Sequence, residues 1–126
     1  MNQIKAITYA CTIFDHYGKQ VLVWYLRSNG TPVDKTKIEN MDLSNIIVML
    51  YTHKIIDDSI KVKIMEVTGI RNSFIHHGAF IKTTSGKRKE FDNAARHALE
   101  CVKFIKAKLD EELKKNQQSY SQNLIT

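Results

Sequence analysis

The segment QIKAITYACTIFDHYGKQVLVWYLRS, residues 3–28, decides the fold. Its apolar and small residues recur at alternating spacings of three and four, at Ile4, Ile7, Cys11, Phe14, Gly18, Val21 and Tyr25. This spacing places them on one face of an α-helix. Asn29-Gly30 and then Pro32 follow, and together they end a helix. The segment therefore predicts one long amphipathic helix, in which Gly18 either permits a close helix crossing or introduces a bend.

The same spacing of apolar residues, three and four apart, predicts three further helices. They cover approximately Lys35 to His53, Ser59 to Gly78, and Lys89 to Lys115. Asp34 and Asp42 are both candidates for the N-cap of the second helix. Asp57 and Asp58 are the candidates for the third, which is expected to end or bend at Gly78.

The predicted buried faces complete the fold class. They comprise Leu43, Ile46, Ile47 and Leu50, then Ile60, Ile64, Val67 and Phe74, and finally Phe91, Ala94, Ala98, Cys101, Ile105 and Leu109. Four long helices with short connections predict an all-α, antiparallel four-helix bundle, with up to five helices if short extra turns are counted. We assign residues 1–116 to one helical domain and residues 117–126 to a polar C-terminal tail.

The composition favours a globular protein of the cytoplasm. Hydrophobic residues make up 43% of the 126 residues and charged residues 25%, and one proline and five glycines leave few helix breakers. No apolar run reaches the roughly 20 residues needed to cross a bilayer, and the N-terminal residues lack the layout of a signal peptide. Cys11 and Cys101 form no paired motif, as expected for a reduced, cytoplasmic protein that contacts no membrane.

A basic stretch lies between Val67 and Lys89, where the sequence has no Asp or Glu. Its charged and titratable residues are Arg71, His76, His77, Lys82, Lys87, Arg88 and Lys89. Five of these residues are lysines or arginines, so the stretch has a charge of +5, whereas the formal net charge of the whole chain is +6. A local positive field of this kind attracts phosphate groups. The alternative interpretation of the same charges is a solvated, lysine-rich loop.

Residues 71–76 of this stretch read Arg-Asn-Ser-Phe-Ile-His, an arginine followed after four residues by a histidine. His77 satisfies the same pattern with five intervening residues. The motif falls late in the third helix of a predicted four-helix domain. With these features the chain resembles the HEPN domain family, small helical bundles of toxin–antitoxin, abortive-infection and RNA-processing systems. It departs from the family's nucleotidyltransferase-paired toxins at Gly78, where those toxins carry the tyrosine that accepts the inactivating modification.

The resemblance implies an endoribonuclease that needs neither metal nor cofactor. A ribose 2′-hydroxyl would attack the adjacent phosphorus and leave a 2′,3′-cyclic phosphate and a 5′-hydroxyl end. His76 is expected to be the acid–base residue, Arg71 to stabilise the charge on the phosphate, and Asn72 to position one of them. The auxiliary candidates are His77 and Ser73, and the candidates for RNA contact are Lys82, Lys87, Arg88 and Lys89.

Geometry and stoichiometry add two expectations. Arg71 and His76 are about 140° apart around an ideal helix, so the arginine stem has to reach around the helix or the helix has to distort. One motif supplies only one clear acid–base residue, and the resemblance implies a homodimer in which two motifs meet across a two-fold axis. A partner antitoxin or a phage-defence complex is compatible with the same resemblance.

Other interpretations of the chain stay open at this point. One is a non-catalytic HEPN module that binds nucleic acid or a nucleotide, or that scaffolds a defence complex. Another is a structural bundle with a polar helix end. His97 and Cys101 have the spacing that begins a zinc site, but no second pair accompanies them, so burial of Cys101 is favoured. Tyr9, Trp24 and Tyr25 are expected to pack in the core or in a dimer interface rather than to stack on bases.

Overall fold

The computed structural model describes the backbone of residues 3–81 and 88–125 and the side chains of residues 3–74 and 89–117. Its helices are α1 Gln3–Ser28, α2 Lys35–Glu39, α3 Leu43–Thr52, α4 Asp58–Ile81 and α5 Arg88–Ile125. The predicted all-α class is confirmed, since the described residues contain no strand. None of the described helices combines the length and the apolarity that crossing a bilayer requires.

Aspartates divide the second predicted helix in two. Asp34 Oδ1 accepts the backbone N–H of Lys37 at 3.1 Å, and Asp42 Oδ1 accepts that of Asn45 at 2.9 Å. Each candidate N-cap therefore begins its own helix, α2 and α3, where the sequence predicts a single helix. A side chain that takes up an N–H at a helix start competes with continuation of the preceding helix, which is why the chain breaks between them.

Two helices continue beyond their predicted ends. α4 runs through Gly78 to Ile81, because one glycine costs a helix only about 1 kcal/mol relative to alanine. α5 runs to Ile125 instead of ending near Lys115, so the predicted tail, residues 117–126, is helical up to Ile125. That segment has no proline or glycine that would stop a helix. The start of α4 agrees with the prediction, since Asp57 caps it.

The first and last helices run parallel along the bundle. Near their starts, the side-chain amide of Gln3 donates to the carboxylate of Asp92. At the other end of α1, Asn116 Nδ2 donates to Ser28 Oγ at 3.2 Å. The two pairs are almost equally far apart along both helices, so α1 and α5 keep one direction and one register over most of α1.

α4 runs antiparallel to α5. Lys63 Nζ, near the start of α4, lies 2.6 Å from Glu100 Oε2, and the ring centroids of Phe74 and Phe91 lie 5.1 Å apart. The residue numbers rise along α4 as they fall along α5, so the antiparallel arrangement predicted for these neighbours is confirmed. The parallel pair α1 and α5 is the exception to the predicted bundle.

The exception arises because the short helix α3 runs in the same direction as α1, since Ile46 and Leu50 lie close to Gly18 and His53 lies close to Tyr25. Ten helical residues are about 15 Å long, against about 39 Å for the 26 residues of α1. α3 therefore does not carry the chain back along α1, and the ring of His53, just after α3, lies 5.7 Å from that of Tyr25 near the end of α1. α4 starts from that end and descends, which leaves α5 to ascend beside α1.

The core lies between α1, α4 and α5 and is closed at one end by α3. The predicted faces of α1, α3, α4 and α5 supply most of the buried residues, with Ile7, Phe14, Ile46, Ile64 and Ile105 fully buried. Gly18 permits a close helix crossing, as one of its two predicted roles. A Cβ added there would lie 3.2 Å from Ile46 Cγ2 and 3.3 Å from Leu50 Cδ1.

Candidate functional site

The motif residues occupy two different faces of α4. Arg71 follows Ile64 and Val67 on the side that packs into the bundle, and it is half-buried. Asn72 and Ser73, the next two residues, are exposed. Because successive helical residues differ by about 100°, α4 presents its cation at the edge of the core and its amide to solvent.

A hydrogen bond joins these two faces. Arg71 donates from Nε at 3.3 Å and from Nη2 at 3.1 Å to the same oxygen, Asn72 Oδ1. The guanidinium therefore points away from the buried face of α4 and toward the face that carries Asn72. Residue 76 shares that face, since it follows one turn later. The arginine stem therefore covers part of the angle that separates Arg71 from His76.

The guanidinium of Arg71 has no Asp or Glu partner. All thirteen Asp and Glu side chains of the sequence lie among the described residues, and none is within 4.0 Å of Arg71. Its hydrogen bonds to described residues go to one neutral amide oxygen, so most of its five N–H donors have no partner among the described residues. A half-buried arginine without an Asp or Glu partner can bind an anion, because its charge is only partly solvated.

Buried polar groups lie on the core side of Arg71. Burial raises the pKa of the Cys11 thiol, while the positive charge of Arg71 and a hydrogen bond with Thr68 act in the opposite direction. Thr68, also buried, donates its hydroxyl to the carbonyl of Ile64 at 2.7 Å. Cys11 is therefore a neutral thiol at neutral pH, and it does not neutralise the guanidinium.

The helix around the motif is held in place by local contacts. Phe74 packs on Phe91 of α5, and this pair fixes α4 one turn beyond Arg71. Ser73 Oγ donates to the carbonyl of Gly69 at 3.0 Å, a bond within its own helix. No described histidine or carboxylate hydrogen-bonds Ser73, so the geometry gives this auxiliary candidate a local role and no activating base.

The other predicted site residues are described only in part. His76 and His77 belong to the backbone of α4, but their side chains lie outside the described residues. Lys82 and Lys87 lie outside the described residues altogether, as does the side chain of Arg88 at the start of α5. Of the predicted RNA contacts only Lys89 has a described side chain, and it is exposed. The structure thus brings Arg71 and Asn72 together.

The histidine–cysteine pair on α5 does not have the arrangement of a zinc site among the side chains that the structure describes. His97 Nδ1 lies 2.9 Å from Glu66 Oε2 of α4, while Cys101 is fully buried in the core, as predicted. Burial raises the pKa of the Cys101 thiol to about 12. Such a thiol is a poor metal ligand, because the thiolate is the binding species. Within residues 3–74 and 89–117, no three His, Cys, Asp or Glu side chains are grouped for a metal ion.

One surface feature escaped the sequence analysis, and a second corrects one of its predictions. α4 carries exposed apolar residues, Val62 and Met65, on the face that leads through Gly69 to Asn72. Tyr9 of α1, expected in the core or an interface, is 68% exposed and so is not a core residue. The sequence signals the exposed apolar face of α4 only because Val62 and Met65 are apolar residues that lie outside the predicted buried face of that helix.

Comparison with known proteins gives no match: no family model, no curated protein and no solved structure is significantly similar to this chain.

Proposed function

We propose that this protein is a HEPN-type endoribonuclease that cleaves RNA without a metal ion and acts as a homodimer, in a toxin–antitoxin or phage-defence setting. The observation that supports the proposal most directly is Arg71, half-buried and without a carboxylate although every Asp and Glu side chain of the chain is described. Charged side chains are seldom buried without a partner. An unpaired arginine suits a phosphate that arrives with the substrate.

The proposed reaction is an internal transesterification. The 2′-oxygen bonds to the adjacent phosphorus and the bond from phosphorus to the 5′-oxygen breaks. A base takes the proton of the 2′-hydroxyl, and an acid returns a proton to the leaving 5′-oxygen, so the products are a 2′,3′-cyclic phosphate and a 5′-hydroxyl. In the proposal His76 exchanges these protons, and the guanidinium of Arg71 binds the non-bridging oxygens as their charge grows.

Asn72 is a positioning residue in this scheme. Its amide oxygen already accepts two N–H groups of Arg71, at 3.1 and 3.3 Å. The bond orients the planar guanidinium toward the face that residue 76 shares. Losing it would leave the arginine charge in place but free to rotate, so Asn72→Ala should weaken catalysis less than loss of Arg71.

Dimerisation would supply the second acid–base residue. The outward face of α4 offers a surface for it, since Val62 and Met65 are exposed there and a Cβ added at Gly69 would have no atom within 4 Å. A two-fold axis across this face would bring two copies of Asn72, and with them two motifs, toward one cleft. The composite cleft would contain two arginines and two histidines.

RNA cleavage in the presence of a chelator tests the proposal. Purified protein should cut single-stranded RNA with EDTA present and leave cyclic phosphate ends. Arg71→Ala should lower the rate roughly a hundredfold to a thousandfold, as the loss of an oxyanion donor does. Arg71→Lys should recover little, because lysine lacks the planar fork. Lys103→Ala, which removes an exposed charge on α5, is the matched control and should leave the rate unchanged.

The adjacent histidines provide a second matched pair. His76→Ala should lose roughly a hundredfold or more in rate, and His77→Ala much less, with circular dichroism showing that both variants stay folded. The reverse order would assign the chemistry to His77. Salt-sensitive RNA binding with no product in any variant would contradict catalysis and favour the non-catalytic module.

A further inference from the structure

An apolar strip is open to solvent on the outer side of the parallel pair α1 and α5. Lys106 Nζ of α5 lies 5.8 Å from the centre of the Tyr17 ring of α1, so these two residues are at the same level along the two helices. About two turns closer to the helix starts, the same register brings Tyr9 to the level of Leu99. Tyr9 is 68% exposed and Leu99 is 55% exposed. Two of the large exposed apolar residues therefore lie at one level of neighbouring helices.

On α1 the strip extends beyond the edge of the core. Phe14 is fully buried, and Tyr17, about 60° away around the helix, is half-buried. Ile13 follows about 40° farther from Phe14, and Tyr9 lies about 40° beyond Ile13. Exposure rises in the same order, since Ile13 is half-buried and Tyr9 is exposed. The outward side of α1 thus continues as an apolar surface where an amphipathic helix ordinarily carries polar residues.

On α5 the strip lies on the side away from α4. Leu99 is about 20° around the helix from Lys106 but about 200° from His97, whose ring contacts Glu66 of α4. A molecule that binds this side of α1 and α5 therefore does not cover Arg71 on α4. We call this surface the α1–α5 face, and it consists of Tyr9, Ile13, Tyr17, Leu99 and Val102, of which Ile13, Tyr17 and Val102 are half-buried.

The charges beside the α1–α5 face are unequally paired. Within two turns of Tyr9 on α1 or of Leu99 on α5, every lysine and arginine is exposed and has no Asp or Glu within 4.0 Å, namely Lys5, Arg96, Lys103 and Lys106. The acidic residues of the same spans all have partners: Asp15 pairs with Lys19, Glu100 pairs with Lys63 of α4, and Asp92 accepts the side-chain amide of Gln3. An excess of positive charge beside the face is therefore available to a partner.

We propose that the α1–α5 face binds an amphipathic helix of another protein, with acidic residues on both sides of its apolar stripe. Two parallel helices leave a shallow groove between them, and the apolar stripe of a third helix packs into such a groove. The acidic flanks of the bound helix meet the unpaired cations, which adds specificity and speeds association. This proposal does not depend on RNA cleavage, since no residue of the motif takes part.

The charges and the apolar centre disfavour two other occupants. A second copy of this chain would bring a second set of unpaired cations against the first, and like charges in an interface are unfavourable. A nucleic acid strand would neutralise the cations, but its phosphates would leave Ile13, Leu99 and Val102 without apolar contacts, whereas interfaces with nucleic acids are mostly polar. An acidic amphipathic helix satisfies both the cations and the apolar residues.

Peptide binding to the whole chain tests the proposal. The probe is a fluorescein-labelled peptide of three repeats of the heptad Glu-Leu-Ala-Glu-Leu-Ala-Glu, in which leucine recurs every three and four residues. Fluorescence anisotropy should show saturable binding. Leu99→Glu should weaken it by about tenfold or more, because the new charge meets the leucine stripe and repels the glutamates. Lys103→Glu should weaken it by about threefold to tenfold, with a larger effect at low salt.

Val48→Glu is the matched control, since Val48 is 57% exposed on α3 and lies outside the α1–α5 face. This variant should bind the peptide like the wild type, and circular dichroism should show that all the variants are folded. The proposal would be overturned by an absence of saturable binding or by equal weakening in Val48→Glu and Leu99→Glu. Equal binding of a peptide with lysine in place of glutamate, or displacement of the probe by a single-stranded oligonucleotide at lower concentrations than by unlabelled peptide, would also overturn it.

The same variants separate this proposal from the proposed RNA cleavage. Leu99→Glu should cut RNA like the wild type while it loses the peptide, and Met65→Glu should bind the peptide like the wild type. A failure of either activity therefore leaves the other measurable in the same preparations. Dissociation of a dimer by Leu99→Glu would identify a second copy of the chain as the occupant of the face and would contradict the proposed partner.

Discussion

Gly30 and Lys54 both follow a helix in the left-handed backbone region, with φ of 70° and 59°. In each case the next residue donates its N–H to a carbonyl in the last turn of the helix, as Thr31 does to Leu26 at 2.9 Å. Glycine adopts this conformation without strain, whereas a side chain raises its energy. The same helix ending is therefore relaxed after α1 and strained after α3.

This difference predicts opposite effects of two substitutions. Lys54→Gly should raise the free energy of unfolding by about 1 kcal/mol by relieving strain, and Gly30→Ala should lower it by about 1–2 kcal/mol by introducing it. Urea unfolding followed by circular dichroism measures both. A Lys54→Gly protein less stable than the wild type would show that the lysine side chain makes a contact worth more than the strain.

At the scale of elements, α1 and α4 each contain an interior glycine, in contrasting surroundings. Gly18 faces α3, where an added Cβ would press on Ile46 and Leu50, while Gly69 has nothing within 4 Å of its added Cβ. Helix propensity favours replacement of both, and packing opposes it at Gly18 only. The sequence predicted the crossing as one of two roles of Gly18, but it contained no information about the space around Gly69.

We expect Gly69→Ala to raise the free energy of unfolding by about 0.5–1 kcal/mol, since α4 gains helix propensity without a clash. Gly18→Leu should lower it by about 1–3 kcal/mol through overpacking against α3. Denaturant unfolding at one fixed protein concentration compares the two. A stabilised Gly18→Leu protein would mean that α3 moves away easily and does not constrain α1.

At the scale of the whole molecule, exposed apolar residues mark the surface proposed for dimerisation. Val62 and Met65, both on α4, are 65% and 54% exposed. Leu99, 55% exposed on α5, lies about 200° around its helix from His97, which contacts α4. Met65 and Leu99 are thus equally exposed residues on different sides of the bundle.

If α4 forms the dimer interface, Met65→Glu should give a monomer in sedimentation experiments and lose RNA cleavage together with dimerisation. A charge placed in the centre of an apolar interface is strongly unfavourable. Leu99→Glu introduces the same charge at the same exposure and should remain dimeric and active. Dissociation by Leu99→Glu alone would place the interface on α5, and an active monomer would contradict the composite site.

Local pattern predicted the helical class and most of the core, but not the number and the bounds of the helices. The spacing of apolar residues acts within a few residues, so the faces of α1, α3, α4 and α5 follow from the sequence. Asp34, Asp42 and Asp57 were candidate caps, but the sequence offered Asp34 and Asp42 as alternatives for one helix and did not predict that each begins its own. The ends of α4 and α5 did not follow from the sequence, because the penalty of Gly78 and the polarity of residues 117–125 are too small to stop an established helix.

By itself, the sequence determined an all-α protein with amphipathic helices and an arginine late in the third predicted helix. Only the tertiary structure decided that α1 and α5 are parallel, that no Asp or Glu side chain pairs with Arg71 and that Tyr9 faces solvent. These properties depend on helix lengths and on distances between residues far apart in the chain, whereas helix formation depends on neighbours within one or two turns.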